Sequence, residues 1–163
     1  MSSISEALGY MTEHGLRGNF LGPFSEEALE AAERLLGLSL PPSYREFLVR
    51  CGAGVIEGDE YLGLAPTADG YGTVWYTLAA RRNGLPPQLI VIQDRRNGTF
   101  YCLDTSQIGA DGEAPVVEWV VGLPPSRQDR RPLAPSFADF VLLRLRRLKY
   151  RLTAGRDRAF PAP

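Results

Sequence analysis

The chain has 163 residues, and its 18 basic residues nearly balance 19 acidic ones, giving a formal net charge of -1. That balance excludes a uniformly basic coat for nucleic acid, since such proteins rely on a strong positive field. Apolar residues make up 44% of the chain and charged residues 23%. This composition excludes a disordered chain and a membrane protein, and it predicts one globular domain with its own core.

Three helices are predicted first along the chain. The first begins at a capping box formed by Ser3 and Glu6 and ends at Gly15. A glycine-rich link leads to the second helix, which Ser25 caps and Gly37 ends. Five apolar residues have the spacing of a buried stripe on the second helix: Ala28, Leu29, Ala32, Leu35 and Leu36.

The third helix starts at two consecutive prolines, and its apolar face has helical spacing. That face consists of Tyr44, Phe47, Leu48 and Cys51. After Gly52 the pattern becomes extended, with short strands predicted at 55–56 and 61–64 around an acidic turn at 57–60. Residues 71–82 suit either a strand or a helix.

The second half of the chain predicts a hairpin, a strand and a helix. Two apolar runs at 89–92 and 99–103 flank Asn97-Gly98, the strongest short signal for a hairpin. Residues 116–121 form a further strand, and Ser136 caps a final helix with an apolar stripe and a basic remainder. The sequence therefore predicts an α+β fold, a single domain with a mainly antiparallel sheet and helices packed against it.

Cysteine content and the N-terminal sequence indicate the compartment. Cys51 and Cys102 are too few for a disulfide framework and lack CxxC spacing, so we expect two reduced core residues. The N-terminus has no basic leader, and every apolar run is far shorter than the roughly 20 residues that span a bilayer. We therefore expect a cytoplasmic protein with no membrane contact.

The sequence offers little catalytic chemistry. His14 is the one histidine, so a multi-histidine metal site is impossible, and we expect neither a metal nor a cofactor. The glycines at 52–54 and 70–72 lack the spacing and the lysine of a phosphate-binding loop. No enzymatic activity is expected.

Carboxylates cluster at Glu57, Asp59, Glu60 and Asp69. Three interpretations are open: a solvated loop, a glycosidase-like acid pair, or a surface that recognises a basic partner together with neighbouring aromatic residues. Those aromatic residues are Tyr61, Tyr71, Trp75 and Tyr76. Tyr61 and Trp75 suit the protein core equally well.

Charge is distributed unevenly along the chain. Residues 1–125 hold 8 arginines against 16 acids, whereas residues 126–163 hold 10 basic residues against 3 acids. The basic segment forms either a phosphate-binding stripe or a solvated face, and the lack of interleaved exposed aromatics favours the solvated face without direct nucleic-acid contact. We therefore expect two surfaces of opposite sign and place a protein partner at the acidic one.

Several motifs occur in a recognisable order. Residues 24–48 hold a helix with early glutamates, a Leu-Pro and a Tyr-x-x-Phe-Leu helix, and residues 98–104 read Gly-Thr-Phe-Tyr-Cys-Leu-Asp. With the strand at 116–119 and the helix at 136–141, they resemble the SUKH superfamily, specifically its Smi/Knr-like group. The resemblance implies a helix at 71–82. We expect an N-terminal helix and link at 1–19, a SUKH-like domain at 20–152 and a frayed tail at 153–163.

The resemblance implies a protein-binding domain without catalytic residues. Bacterial members of the family are immunity proteins that neutralise a cognate polymorphic toxin, often a nuclease, by direct binding, and fungal members are linked to cell-wall synthesis. The motif residues then have structural roles: Tyr44 and Phe47 as core anchors, Gly52 and Gly98 as turn formers, Asp104 as a turn or cap ligand, and Trp119 as packing.

The expected partner is a cognate toxin domain, with the oligomeric state left open. The residues predicted to bind it are Glu57, Asp59, Glu60 and Asp69, with Tyr61, Tyr71 or Trp75 as aromatic anchors. One alternative is an intracellular scaffold or regulator that binds a host protein. The other is a hydrolase that uses the acidic pair.

Overall fold

The computed structural model describes residues 2–64 and 72–157. The helices are α1 (Ile4–Glu13), α2 (Glu26–Leu36), α3 (Pro42–Arg50), α4 (Thr73–Arg82) and α5 (Phe137–Asp157). The strands are β1 (Gly18–Phe20), β2 (Gly54–Ile56), β3 (Asp59–Tyr61), β4 (Leu89–Asp94), β5 (Thr99–Asp104) and β6 (Val116–Val120). Two short 3₁₀ helices lie at Thr105–Gln107 and Pro125–Arg127.

The six strands found in the described residues form two antiparallel sheets, ordered β1-β2-β3 and β4-β5-β6. Both belong to one α+β domain, as the sequence predicts, although the strands divide into two sheets. The sheets meet where the amide of Leu62, just after β3, donates to the carbonyl of Ile92 in β4 over 2.9 Å. This contact places the β2–β3 hairpin at the edge of the second sheet.

The sheet β4-β5-β6 is covered on both faces. Successive side chains of a strand point to opposite faces, and those of β4 therefore join two different core clusters. Ile90 and Ile92 belong to the larger core cluster with α1, α3 and α5. Leu89 and Val91 belong to a smaller cluster beside α4. The centre of the larger cluster is aromatic, and the ring of Phe137 contacts three other buried rings: Tyr44, Phe47 and Tyr61.

Three predicted caps are present. The hydroxyl oxygens of Ser3, Ser25 and Ser136 accept from backbone amides in the first turns of α1, α2 and α5 over 3.1, 3.3 and 3.1 Å. Gly37 ends α2 with a φ of 68°, in the left-handed region that favours glycine. Local sequence therefore determines these helix ends.

Helix α3 receives its cap from a distant residue. Its first turn has no local side-chain cap, and the Glu113 carboxylate accepts from the Ser43 amide over 2.8 Å and from the Ser43 hydroxyl over 2.9 Å. The same hydroxyl oxygen accepts from the amide of Ala138 over 3.2 Å. Burial raises the pKa of Glu113 despite these hydrogen bonds. One buried carboxylate therefore fixes the starts of both α3 and α5.

Several sequence expectations need correction. The acidic turn shortens to Glu57-Gly58, because residues 59–61 are strand β3. Strand β1, expected to be part of a link, pairs with β2. Leu35 is exposed and leaves the predicted stripe of α2, and α5 continues to Asp157, past residue 152.

The predicted helix before the β4–β5 hairpin and the two predicted core cysteines match the structure. Residues 73–82 are helical, as the family resemblance implies, and Tyr71 lies outside the described residues. Helix α1 packs against α5, with Ile4 and Ala7 buried, so it is part of the common core. Both cysteines are free and buried. Over residues 2–64 and 72–157, no helix combines the length and hydropathy needed to cross a membrane.

Three glycines bring chain segments into direct backbone contact. Gly52 has a φ of 81°, and a Cβ built on it would lie 1.7 Å from the carbonyl oxygen of Gly22. A Cβ on Gly63 would lie 2.0 Å from the carbonyl oxygen of Gly52. We call this arrangement the glycine crossing. It fixes the segment before α2 against the segments that follow α3 and β3.

Candidate partner-binding surfaces

The β2–β3 hairpin, residues 54–61, carries the predicted acidic cluster, and we call it the acidic hairpin. Glu57 occupies its turn with a φ of 47°. Its carboxylate accepts from the backbone amide of Arg17 over 2.6 Å, which ties the turn to the segment before β1. Glu57 is partly buried, and its carboxylate already stabilises the local fold.

The other two acids of this hairpin are paired within the chain. Asp59 accepts from the Nε and Nη2 of Arg144 in α5 over 3.0 and 2.6 Å, and the two side chains are only 22% and 15% exposed. Glu60 accepts from Arg96 over 3.3 Å. The predicted acidic and basic surfaces therefore meet at this hairpin, and their charges partly cancel there. Asp69 lies outside the described residues.

Tyr61 is not an exposed anchor. Its side chain is fully buried among the core rings. Burial and, next, the charge of Asp59 raise the pKa of its phenol. Tyr61 therefore belongs to the core, which was one of its two open interpretations.

Trp75 is 49% exposed on α4. It borders a cleft of about 200 Å³, which we call the aromatic cleft. The other residues that line it are Tyr76, Ala79, Ala80, Asn83, Phe100, Trp119 and Val121. The rings of Trp75 and Tyr76 meet edge to face with centroids 5.3 Å apart, and Tyr76 meets Phe100 in the same way at 6.2 Å. This geometry stabilises the cleft wall.

A second, larger cleft lies between α5 and the turn of the β4–β5 hairpin, and we call it the basic cleft. Its volume is about 600 Å³. It is lined by Arg95, Tyr101, Arg144, Arg146, Arg147, Tyr150 and Arg151. The guanidinium carbons of Arg95 and Arg144 lie 5.0 and 5.7 Å from the centroid of the Tyr101 ring, within the range of cation–π attraction.

The two clefts lie on opposite faces of the sheet β4-β5-β6. Adjacent residues of β5 separate them, because Phe100 lines the aromatic cleft while Tyr101 packs against α5. Arg144, which binds Asp59, lies on the Tyr101 side. The structure therefore does not bring Trp75 and the acidic hairpin together into one site.

The amino-acid sequence matches the model of one known family over most of its length. The model of the SMI1 / KNR4 family (SUKH-1) matches residues 23–142, which is most of the chain. The chain belongs to the SMI1 / KNR4 family. The resemblance to the SUKH superfamily and its Smi/Knr-like group, stated from the sequence motifs, is thereby confirmed.

The residues to which the resemblance gave structural roles lie mainly inside the domain. Tyr44 is buried, and its hydroxyl donates to the carbonyl of Leu62 over 2.7 Å. Phe47 packs among the core rings, and Gly52 belongs to the glycine crossing. Gly98, with a φ of 83°, lies in the turn of the β4–β5 hairpin.

Asp104 ends β5 and begins the 3₁₀ helix of residues 105–107. Its Oδ1 accepts from the Ser106 amide and hydroxyl over 3.1 and 2.6 Å, and its Oδ2 accepts from Gln107 over 2.7 Å and from Arg130. Burial opposes ionisation, but the bonds from Ser106 and Gln107 and the charge of Arg130 hold its pKa below the usual range.

Several members of the clefts were missed at the sequence level. Phe100, Trp119 and Val121 join Trp75, and Arg95 joins the arginines of α5. Phe100 and Trp119 come together because β5 pairs with β6, and the Asn97-Gly98 signal predicts only the pairing of β4 with β5. Within the described ranges, no group of three or more histidine, cysteine or acidic residues is arranged to hold a metal ion.

Proposed function

We propose that this chain is a cytoplasmic immunity protein, a non-enzymatic domain that binds a cognate toxin and covers its active site. Membership of the SMI1 / KNR4 family over residues 23–142 supports this function. The observation that carries the proposal is the exposed Trp75 at the mouth of a preformed aromatic cleft. Tryptophan dominates the binding energy of many protein interfaces when a partner covers it.

The aromatic cleft is better suited to this contact than the acidic hairpin. Its walls are packed rings that lose little side-chain entropy on binding. In contrast, a partner that used Asp59 would have to compete with Arg144, which already holds that carboxylate through two hydrogen bonds. We therefore assign the acidic hairpin a smaller contribution, made through Glu57 and Glu60.

The experiment is co-expression with the C-terminal domain encoded by the neighbouring gene, followed by affinity measurement on the purified pair. We expect the chain to protect cells from that domain. We expect Trp75→Ala to weaken binding about thirtyfold, equivalent to about 2 kcal/mol. Ile108→Ala is the matched control, because Ile108 is also 49% exposed but does not line the aromatic cleft.

Two results would count against the proposal. Lack of protection together with lack of binding would contradict the immunity function and favour a scaffold or regulator that binds a host protein. Equal affinities of the Trp75→Ala and Ile108→Ala variants would remove the aromatic cleft from the interface. The double variant Glu57→Gln/Glu60→Gln measures the contribution of the acidic hairpin and leaves the Asp59–Arg144 pair intact.

A further inference from the structure

Contacts within the chain hold two arginine side chains of the basic cleft in place. Arg95 comes from the turn of the β4–β5 hairpin and lies over the Tyr101 ring, and its guanidinium donates to the Tyr101 hydroxyl. Arg144 lies over the same ring and is fixed by Asp59. Two of the five arginines are therefore positioned before any ligand arrives, which lowers the entropic cost of binding.

The positive charge of this cleft exceeds what the described carboxylates neutralise. Asp59 pairs with Arg144. Among the side chains described at residues 2–64 and 72–155, the other four arginines of the cleft have no carboxylate within the 4.0 Å of a salt bridge: Arg95, Arg146, Arg147 and Arg151. Four arginines without a carboxylate partner among these side chains thus line one cavity of about 600 Å³.

The side chains of this cleft favour a protein ligand over a nucleic acid. All seven lining residues are arginine or tyrosine, two residue types that are enriched at the centres of protein interfaces. Single-stranded nucleic acid needs several exposed rings for base stacking. Tyr101 is buried, and Tyr150, at 75% exposure, is the ring that this cleft offers to solvent.

We propose that the basic cleft binds a carboxylate-rich segment of the toxin partner. This inference rests on the proposed immunity function and names the chemistry of a second contact. The planar guanidinium groups match carboxylates with two parallel hydrogen bonds, and Tyr150 covers the edge of the bound segment. The partner therefore carries an acidic segment opposite α5, in addition to the apolar group that fills the aromatic cleft.

The test uses the full chain and a fluorescent oligoglutamate peptide of about twelve residues, measured by fluorescence anisotropy at low salt. We expect saturable binding with one peptide per chain. The double variant Arg147→Glu/Arg151→Glu should weaken it about tenfold or more, because two guanidinium partners are replaced by repulsion. The control Arg34→Glu/Arg127→Glu changes the net charge equally at exposed arginines outside the cleft. It should retain most of the affinity.

Three results would overturn the proposal. They are absence of saturable peptide binding, equal losses in the two double variants, and tighter binding of a single-stranded RNA oligonucleotide of equal charge. Equal losses would show a diffuse field in place of a site, and RNA preference would show a nucleic-acid surface. Thermal unfolding of both double variants checks that the fold is retained.

Different experimental results would contradict the proposed function and this inference. If the toxin domain binds the chain and Arg147→Glu/Arg151→Glu has no effect on that affinity, the inference is wrong while the immunity function stands. If the peptide binds in the basic cleft and the toxin domain does not bind, the immunity function is wrong.

Discussion

The aromatic cleft and the basic cleft lie on opposite faces of one sheet and differ in almost every physical respect. The first is small and its lining is uncharged, whereas the second is three times larger and lined by five arginines. Phe100 and Tyr101, adjacent in β5, separate them. One step along a strand therefore changes recognition from apolar packing to charge pairing.

Two of the three aromatic residues predicted as anchors, Tyr61 and Trp75, give the largest expected difference in stability. Tyr61→Ala leaves a cavity in the core on the α5 side and should lower the free energy of unfolding by about 3–5 kcal/mol. Trp75→Ala removes a half-exposed ring and should lower it by less than about 1 kcal/mol. Urea unfolding measures both. Similar losses would mean that Trp75 is a structural residue.

The pH dependence of stability tests whether buried charge supports the hairpin between the clefts. The pKa of Asp104 is lowered in the folded chain, so its stabilisation is present above the unfolded pKa of about 4 and is lost as pH falls through the folded value. We expect Asp104→Asn to cost about 2 kcal/mol at neutral pH.

The difference between the wild-type chain and Asp104→Asn should shrink as pH falls below about 4. Unfolding curves recorded at neutral and acidic pH measure it. A difference that stays constant to the lowest pH would show that the carboxylate charge does not contribute and that Asp104 acts through neutral hydrogen bonds.

Salt should affect the two clefts differently. Raising ionic strength from about 0.05 M to about 0.5 M screens exposed charges and should weaken the complex with the toxin domain about tenfold. The Trp75→Ala variant should show the same salt dependence at lower affinity. Arg147→Glu/Arg151→Glu should show a clearly smaller one. Isothermal titration calorimetry at both salt concentrations gives the dissociation constants of the three proteins. The same salt dependence in all three would contradict the assignment of charge pairing to the basic cleft.

The acidic hairpin provides the smallest expected difference. Asp59→Asn weakens a half-buried pair with two hydrogen bonds and should lower the free energy of unfolding by about 1 kcal/mol. Glu60→Gln changes a single contact to the exposed Arg96 and should change it by less than about 0.5 kcal/mol. Thermal unfolding distinguishes the two. A larger effect for Glu60→Gln would reverse our assignment of the structural carboxylate.

Local signals predicted much of the fold. Ser3, Ser25 and Ser136 cap helices through atoms three residues away, and Asn97-Gly98 predicts its hairpin from adjacent runs. Strand β1 was missed because its three residues, Gly18–Phe20, acquire strand geometry only by pairing with β2, which lies more than thirty residues further along the chain.

The candidate surfaces could be predicted only in part, because they depend on contacts between residues that are far apart in the sequence. Asp59 meets Arg144 across 85 residues of sequence, so an acidic cluster predicted from neighbouring residues was assigned more free charge than it has. The sequence suited Tyr61 and Trp75 equally well to the core, and contacts with the distant rings of Phe47 and Phe137 bury Tyr61. The sequence predicted an acidic surface and a basic surface. It did not predict that the two surfaces meet at the acidic hairpin, where Asp59 binds Arg144.

The glycine crossing has a consequence for how this domain can change over generations. Every single-nucleotide change that alters a glycine codon either stops translation or adds a Cβ atom, and at Gly52 and Gly63 that atom would lie within 2.0 Å of a carbonyl oxygen. In a library of all single substitutions, we expect these two positions to tolerate none, while Trp75 and Arg147 accept many. New binding specificity can therefore arise from substitutions in the two clefts while the residues of the glycine crossing stay unchanged.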